Sequence, residues 1–152
     1  DVNGTSFEVY AIAKSTDFVF VGGTFINAGR QRVNGVARWD GVEWKSLGIS
    51  DKIGVCFEEN GTRFPGYVSS LLVIGDTLYV GGAFNKAGDI SSNSIAGYNI
   101  KTNTWFKLSN EGIISQDNPF PIVLSMAKFN EYIVIGGAFI EGNTKNNNLV
   151  FF

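Results

Sequence analysis

Histidine is absent from the 152 residues, and cysteine occurs once, at Cys56. The first absence removes the commonest general base, the commonest transition-metal ligand and every triad built on imidazole. A single thiol excludes an internal disulfide, a zinc–thiolate cluster and a Cys-x-x-Cys redox pair. Charge is sparse and nearly balanced: 12 basic and 14 acidic side chains leave −2 at pH 7. That gives no electrostatic footprint for nucleic acid or for an anionic membrane surface. No apolar run approaches the roughly 18 residues of a helical membrane span. Apolar side chains, by contrast, make up 44% of the chain, too many for a disordered segment. The length suits one domain, and 19 glycines disfavour long helices. The chain opens Asp1-Val2-Asn3-Gly4, with neither Met nor a signal-type stretch, and closes Asn148-Leu149-Val150-Phe151-Phe152 in mid-strand. It therefore reads as a processed chain or a piece of a longer polypeptide.

An internal repeat is the strongest signal present. Glycine doublets occur at Gly22-Gly23, Gly81-Gly82 and Gly136-Gly137, spaced by 59 and 55 residues. Aligning on them without a gap brings together Thr24, Ala83 and Ala138, then Phe25, Phe84 and Phe139. Upstream, Val9, Val68 and Val123 coincide, as do Ile12, Leu71 and Met126, and the acids Asp17, Asp76 and Glu131. Downstream, Asn34, Asn93 and Asn148 coincide, followed by Trp39 and Tyr98.

Each repeat reads as four short strands. Strand A covers residues 9–14, 68–74 and 123–129, apolar nearly throughout as for a strand buried on both faces. Strand B covers residues 18–25, 77–84 and 132–139, rich in β-branched and aromatic side chains. Strand C covers residues 35–39 and 94–99, and strand D surrounds 44–47 and 105–108. Asp40-Gly41 suits the centre of a two-residue C–D turn, and the second repeat has a longer C–D connection.

Four strands recurring every fifty-odd residues are the signature of a propeller blade, so the expected fold is an all-β propeller. Its blades span residues 9–48 and 68–109, with an incomplete third at 123–152. Leu78-Tyr79-Val80-Gly81-Gly82 and Tyr98-Asn99-Ile100-Lys101-Thr102-Asn103-Thr104-Trp105 resemble the kelch repeat of the galactose oxidase-like and kelch-like β-propellers. The first repeat carries Phe20-Val21-Gly22-Gly23 and Trp39-Asp40-Gly41-Val42-Glu43-Trp44, with Trp39 where that pattern usually has Tyr. The phrase Gly-Gly-(Thr/Ala)-Phe, then Ala-Gly and Asn-x-(Val/Ile)-Ala, is similar to a subgroup of secreted or surface repeat proteins and fungal cortical polarity markers. Propellers host unrelated activities, so the resemblance implies fold more than function. Closed propellers hold roughly four to eight blades; residues 1–8 are too short to supply the missing strands. The remaining blades are expected from the same longer chain.

The candidate sites divide into structural and functional readings. Gly22, Gly23, Gly81, Gly82, Gly136 and Gly137 are read as structural, at positions of close backbone approach or positive φ. No helix follows them to complete a phosphate cradle. Phe25, Phe84 and Phe139 are read as inter-blade core, Trp44 and Trp105 as packing of one blade on the next, and Cys56 as an unpaired loop or core thiol. Asp17, Asp76 and Glu131 could suggest paired catalytic carboxylates, but they recur at A–B turns, where acids bond their own backbone. The copper ligands and Cys–Tyr crosslink of the resembled oxidase have no matching positions, nor does a sialidase Arg cluster. No catalytic residue, metal or cofactor is expected.

Strand parity puts the A–B and C–D connections at one edge of the blades and the long B–C and D–A connections at the other. Long loops on a rigid scaffold are where binding resides, so the B–C/D–A face is the candidate surface for a protein or glycan partner. Its charges, Arg30, Arg32, Lys86, Asp89, Glu141 and Lys145, are mixed. Sequons at Asn3-Gly4-Thr5 and Asn60-Gly61-Thr62 stand six and eight residues before the aligned valines, and mark Asn3 and Asn60 for N-glycosylation. The function expected is that of a non-enzymatic interaction module of an extracellular or cell-surface repeat protein. The alternatives are an intracellular kelch-type adaptor in the cytoplasm and a fragment of a propeller enzyme.

Overall fold

A computed structural model of the chain describes residues 4–109, 113, 121–140 and 147–152. Their regular structure is entirely β, with antiparallel sheets and no helix among the described residues. The first sheet runs through β1 (Val9–Lys14), β2 (Val19–Gly23), β5 (Val36–Trp39) and β6 (Trp44–Ser46) in that spatial order, with a small hairpin β3 (Asn27–Ala28)/β4 (Gln31–Arg32) between β2 and β5. A linker of two hairpins follows, β7 (Gly48–Ile49)/β8 (Lys52–Ile53) and β9 (Val55–Glu59)/β10 (Thr62–Pro65). The second sheet repeats the order with β11 (Tyr67–Ile74), β12 (Thr77–Ala83), β15 (Ile95–Asn99) and β16 (Thr104–Phe106), with β13 (Lys86–Ala87) and β14 (Ile90–Ser91) where β3 and β4 stood. The third has β17 (Ile122–Phe129), β18 (Tyr132–Ile140) and β19 (Asn147–Phe151). Strand existence and order thus follow the repeat.

A bulge recurs at one position. The register of the first strand against the second shifts between Val9 and Ala11, between Val68 and Ser70, and between Val123 and Ser125. One extra residue bends the strand and raises its twist. The third sheet then departs from the ungapped alignment. Gly22 pairs with Val36 and Gly81 with Ile95, but Gly136 pairs with Leu149, so Leu149 rather than Val150 takes the third place. The residue before each of these has positive φ, at Gly35, Ser94 and Asn148. The coincidence of Asn34, Asn93 and Asn148 therefore does not mark one structural role.

Each sheet leans on the one before it: β11 packs on β1 and β2, and β17 on β11 and β12. One core lies between the first two sheets, where Phe20, Val36 and Leu47 meet Val80, Phe84, Ala87, Ala96 and Tyr98. A second lies between the next two, around Ile95, Val123, Met126, Ile135 and Phe139. A third, of Val21, Phe25, Ala28, Val33 and Ala37 with Trp44 against it, sits on the outer side of the first sheet. Phe25, Phe84 and Phe139 are all buried. Strand A is not buried on both faces as its apolar run suggested: Tyr10, Ile12, Leu124 and Phe129 are exposed. Among the described residues β11 packs against a sheet on each side, whereas β1 and β17 each pack against one.

None of the six doublet glycines has positive φ, and close approach explains five of them; at Gly136 no described atom comes nearer to a built Cβ than Asn148 O at 3.8 Å. A Cβ on the second glycine would come within 2.0 Å of Glu8 O at Gly23, 1.9 Å of Tyr67 O at Gly82 and 2.0 Å of Ile122 O at Gly137. On the first it would meet the valine of the following sheet, Val68 Cγ1 at 2.4 Å from Gly22 and Val123 Cγ1 at 2.5 Å from Gly81.

The C–D turn of the first sheet is centred one residue later than expected. Asp40 N–H donates to Glu43 O at 3.3 Å, which makes Gly41-Val42 the central pair, with Gly41 at φ 97°. The Asp40 carboxylate accepts from Val42 N–H and Glu43 N–H at 2.9 Å each. These bonds and Lys45 Nζ at 2.9 Å hold its carboxyl well below the usual carboxylate range. In the second sheet Asn99 Oδ1 accepts from Lys101 N–H and Thr102 N–H in the same way.

Candidate functional site: the edge formed by the long connections

The long connections are not irregular loops. The D–A linker and the B–C hairpin of the second sheet join in a further four-stranded sheet of order β10-β9-β13-β14. Lys86 pairs with Cys56 and Ala87 with Val55. Asn85 fixes the junction: its Oδ1 accepts from Glu58 N–H at 2.7 Å and its Nδ2 donates to Glu58 O at 3.1 Å. Gly88 N–H donates to Gly54 O at 2.9 Å, just as Gly29 N–H donates to Gly4 O at 2.8 Å in the first sheet. At the opposite edge, Lys101 of a C–D turn reaches Asp76 of an A–B turn at 2.7 Å. The two pairs of connections therefore lie at opposite edges.

The charges on this edge largely answer one another. Arg63 Nε sits 2.7 Å from Glu58 Oε2 and Lys86 Nζ 3.5 Å from Glu58 Oε1; Lys52 meets Asp89 at 3.6 Å. The Arg63 guanidinium holds Glu58 below its ordinary range. Arg32 Nε donates to Asn34 Oδ1 at 3.3 Å. Glu141 and Lys145 lie outside the described residues. Exposed apolar groups interrupt the polar surface, Phe64 on β10 and Ile49 on β7 among them. Beside the β3–β4 hairpin, Gly29, Arg30, Gln31, Trp39 and Trp44 help line a cleft of about 350 Å³. Trp39 and Trp44 stand 5.3 Å apart there, tilted by 55°.

Asn60 occupies the tip of the β9–β10 hairpin, exposed, with φ 50° beside Gly61 at 78°. Asn-Gly with both φ positive is the pair that a tight hairpin turn requires. Asn3 lies outside the described residues. The near-coincidence of the two sequons does not survive: by hydrogen bonding Gly4 corresponds to Gly54, so the β9–β10 hairpin bearing Asn60 has no counterpart before β1.

Cys56 lies in β9, buried, and burial pushes its thiol up. Asp17, Asp76 and Glu131 sit on three separate turns rather than facing one bond. Asp76 pairs with Lys101, and in the first turn the backbone bond is made by Ser15 Oγ, which accepts from Phe18 N–H at 3.1 Å. Among the described residues no three of Cys, Asp and Glu converge on a metal-sized site.

Two ties join the first sheet to the second: Trp105, read from the sequence as packing one blade on the next, and Arg38, which carries no signal in the repeat. Trp105 Nε1 donates to Leu47 O at 3.2 Å, with its ring against Gly88. Arg38 stacks over Phe18, 4.8 Å from its centroid, and donates through Nη1 to Asn103 Oδ1 at 2.8 Å; the same oxygen accepts from Tyr98 OH at 3.2 Å. Burial pushes the Tyr98 hydroxyl up.

No family model matches the chain, and no curated protein matches it. Among solved structures, the computationally designed Ika4 protein aligns over 100% of this chain and 94% of its own, at 14% identity and a TM-score of 0.41. Likeness of that order fixes neither fold family nor function.

Proposed function

We propose that the chain is a segment of a larger kelch-type β-propeller and serves as a non-enzymatic interaction module, outside the cell or at its surface. The remaining blades would come from the same longer polypeptide. Its partner, a protein or a glycan, is met by the edge that the D–A and B–C connections share. The observation that carries the reading is the β10-β9-β13-β14 sheet. Backbone pairing turns the long connections into a fixed platform, and a preformed surface binds without the entropic cost of ordering loops. Phe64 and Ile49 offer exposed apolar contact on it, and the ion pairs around Glu58 satisfy the charges between. The polar groups further support binding over catalysis, since Asp40, Asn85, Asn99 and Ser15 are committed to holding backbone.

The test is intact-mass and glycopeptide mass spectrometry of the native protein. Hexose on Asn60 or Asn3, in a polypeptide far longer than 152 residues, is the expected result. A native chain bare at both asparagines removes the secretory reading and puts a cytoplasmic adaptor in its place. A bare chain ending at Phe152 removes the larger propeller as well.

A further inference from the structure

Asn34-Gly35 and Asn60-Gly61 are one dipeptide set in one backbone shape. Their asparagines have φ 53° and 50°, and both glycines have φ 78°. The surroundings differ. Asn34 is half-buried; its Oδ1 accepts from Arg32 Nε and its Nδ2 donates to Ile53 O, each at 3.3 Å. Gly35 N–H donates to Phe25 O at 2.7 Å, and a Cβ on Gly35 would stand 3.2 Å from Gly66 O. Asn60 and Gly61, by contrast, are exposed at the tip of the β9–β10 hairpin. Among the described residues neither the Asn60 amide nor Gly61 N–H has a hydrogen-bond partner, and a Cβ on Gly61 would meet nothing within 4 Å.

The backbone nitrogen that follows an asparagine can attack its side-chain amide, and a glycine there has no side chain to shield that nitrogen. We propose that Asn60 is a site of spontaneous deamidation in the folded protein, and that Asn34 is protected from it. Gly61 N loses its proton to water and attacks Asn60 Cγ. The new Cγ–N bond closes a cyclic imide as the Cγ–Nδ2 bond breaks, and Nδ2 takes up a proton and leaves as ammonia. Water then opens the ring at one of its two carbonyls. Opening at Cγ leaves aspartate, and opening at the backbone carbonyl leaves isoaspartate, whose main chain runs through Cβ and Cγ. Nothing is oxidised or reduced. At Asn34 the bond from Gly35 to Phe25 and the two side-chain bonds must open first, and each lowers the reactive population.

Either product sets a carboxylate beside Glu58 and Glu59. Isoaspartate also lengthens the turn that holds Thr62 opposite Glu59, in the hairpin whose β9 carries β13. The change therefore strikes the sheet of the long connections at its tip. A glycan on Nδ2 would block the loss of ammonia, so the same nitrogen has two exclusive fates. Only that last consequence rests on the secretory reading above.

Peptide mapping of the native polypeptide, made in a host that adds no N-glycan and held at mildly alkaline pH, is the test. Aspartate and isoaspartate at residue 60 should accumulate at least ~10-fold faster than at residue 34, and the two rates should converge in denaturant. Equal or reversed rates in the folded protein overturn the proposal. So does a residue 60 that stays asparagine while the denatured chain converts. Thr62→Ala removes the sequon but keeps the Asn-Gly pair. Made in the native host, this variant should deamidate at residue 60 whatever becomes of the glycosylation reading. If it keeps Asn60 intact, the inference falls.

Discussion

Asn85 grips Glu58 by both of its backbone polar groups, accepting from the N–H at 2.7 Å and donating to the carbonyl at 3.1 Å. The side chain thus stands in for a strand residue where β13 meets β9. Removing it leaves two partly buried backbone groups without their partner, at a cost of about 1–3 kcal/mol for Asn85→Ala. Asn85→Asp keeps the acceptor but loses the donor and sets a charge beside a carbonyl, so it is no better. Hydrogen exchange should locate either defect in residues 55–65, with the first sheet unchanged.

The two glycines of a doublet should fail differently. Gly82→Ala drives a Cβ into backbone, Tyr67 O, which cannot yield, and should cost about 3 kcal/mol or more. Gly81→Ala meets a side chain, Val123 Cγ1, and Val123→Ala should restore part of the loss. Denaturant midpoints of the two single variants and the double variant measure this coupling. Gly136→Ala, which meets no described atom nearer than Asn148 O at 3.8 Å, should leave stability nearly unchanged.

Trp105 combines a ring packed on Gly88 with a hydrogen bond to Leu47 O. Trp105→Phe keeps most of the ring and should lose about 1 kcal/mol. Trp105→Ala loses the ring as well and should lose about 3–5 kcal/mol. Thermal unfolding of both variants separates the two contributions.

Asp40 gives the fold an acid-side slope. Its folded carboxyl is held below the unfolded value, so the stabilisation is present at neutral pH and fades as pH falls through the folded value. Asp40→Asn keeps an acceptor for the two turn N–H groups, as Asn99 does, and removes this slope. Asp40→Ala lowers stability at neutral pH as well. Melting curves taken from neutral pH into acid should show both effects, with Glu58, held low by Arg63, retaining its own slope.

The four-strand repeat, the glycine doublets and the three buried phenylalanines were legible because each repeats in register and reports on close packing. The sheet β10-β9-β13-β14 was not, because Lys86 pairs with Cys56 through a strand two residues long, too short for any periodicity. A signal for half of it was present: Asn60-Gly61 is a hairpin pair between two extended stretches, as well as part of a sequon. The bulges at Tyr10, Ser69 and Leu124 left no mark, since a bulged strand keeps the composition of a straight one. The burial of the first strand was overestimated from its apolar run. Side chains such as Ile12 are apolar because of the face they belong to, whether or not a neighbour covers it.

The pairing of Lys86 with Cys56 also decides where this polypeptide can be divided. The repeat as written begins at β11, yet the segment that holds the second sheet's B–C hairpin in place is the linker ahead of it. The unit that opens and closes together thus starts near Gly54. A shuffled or duplicated repeat cut at Tyr67 would carry the β13–β14 hairpin without β9, the strand that β13 pairs with. A break in the exposed turn at Lys101-Thr102 severs no inter-strand pair. Such exposed tips tolerate new termini and insertions best, so permuted or extended arrays of this repeat should be joined there.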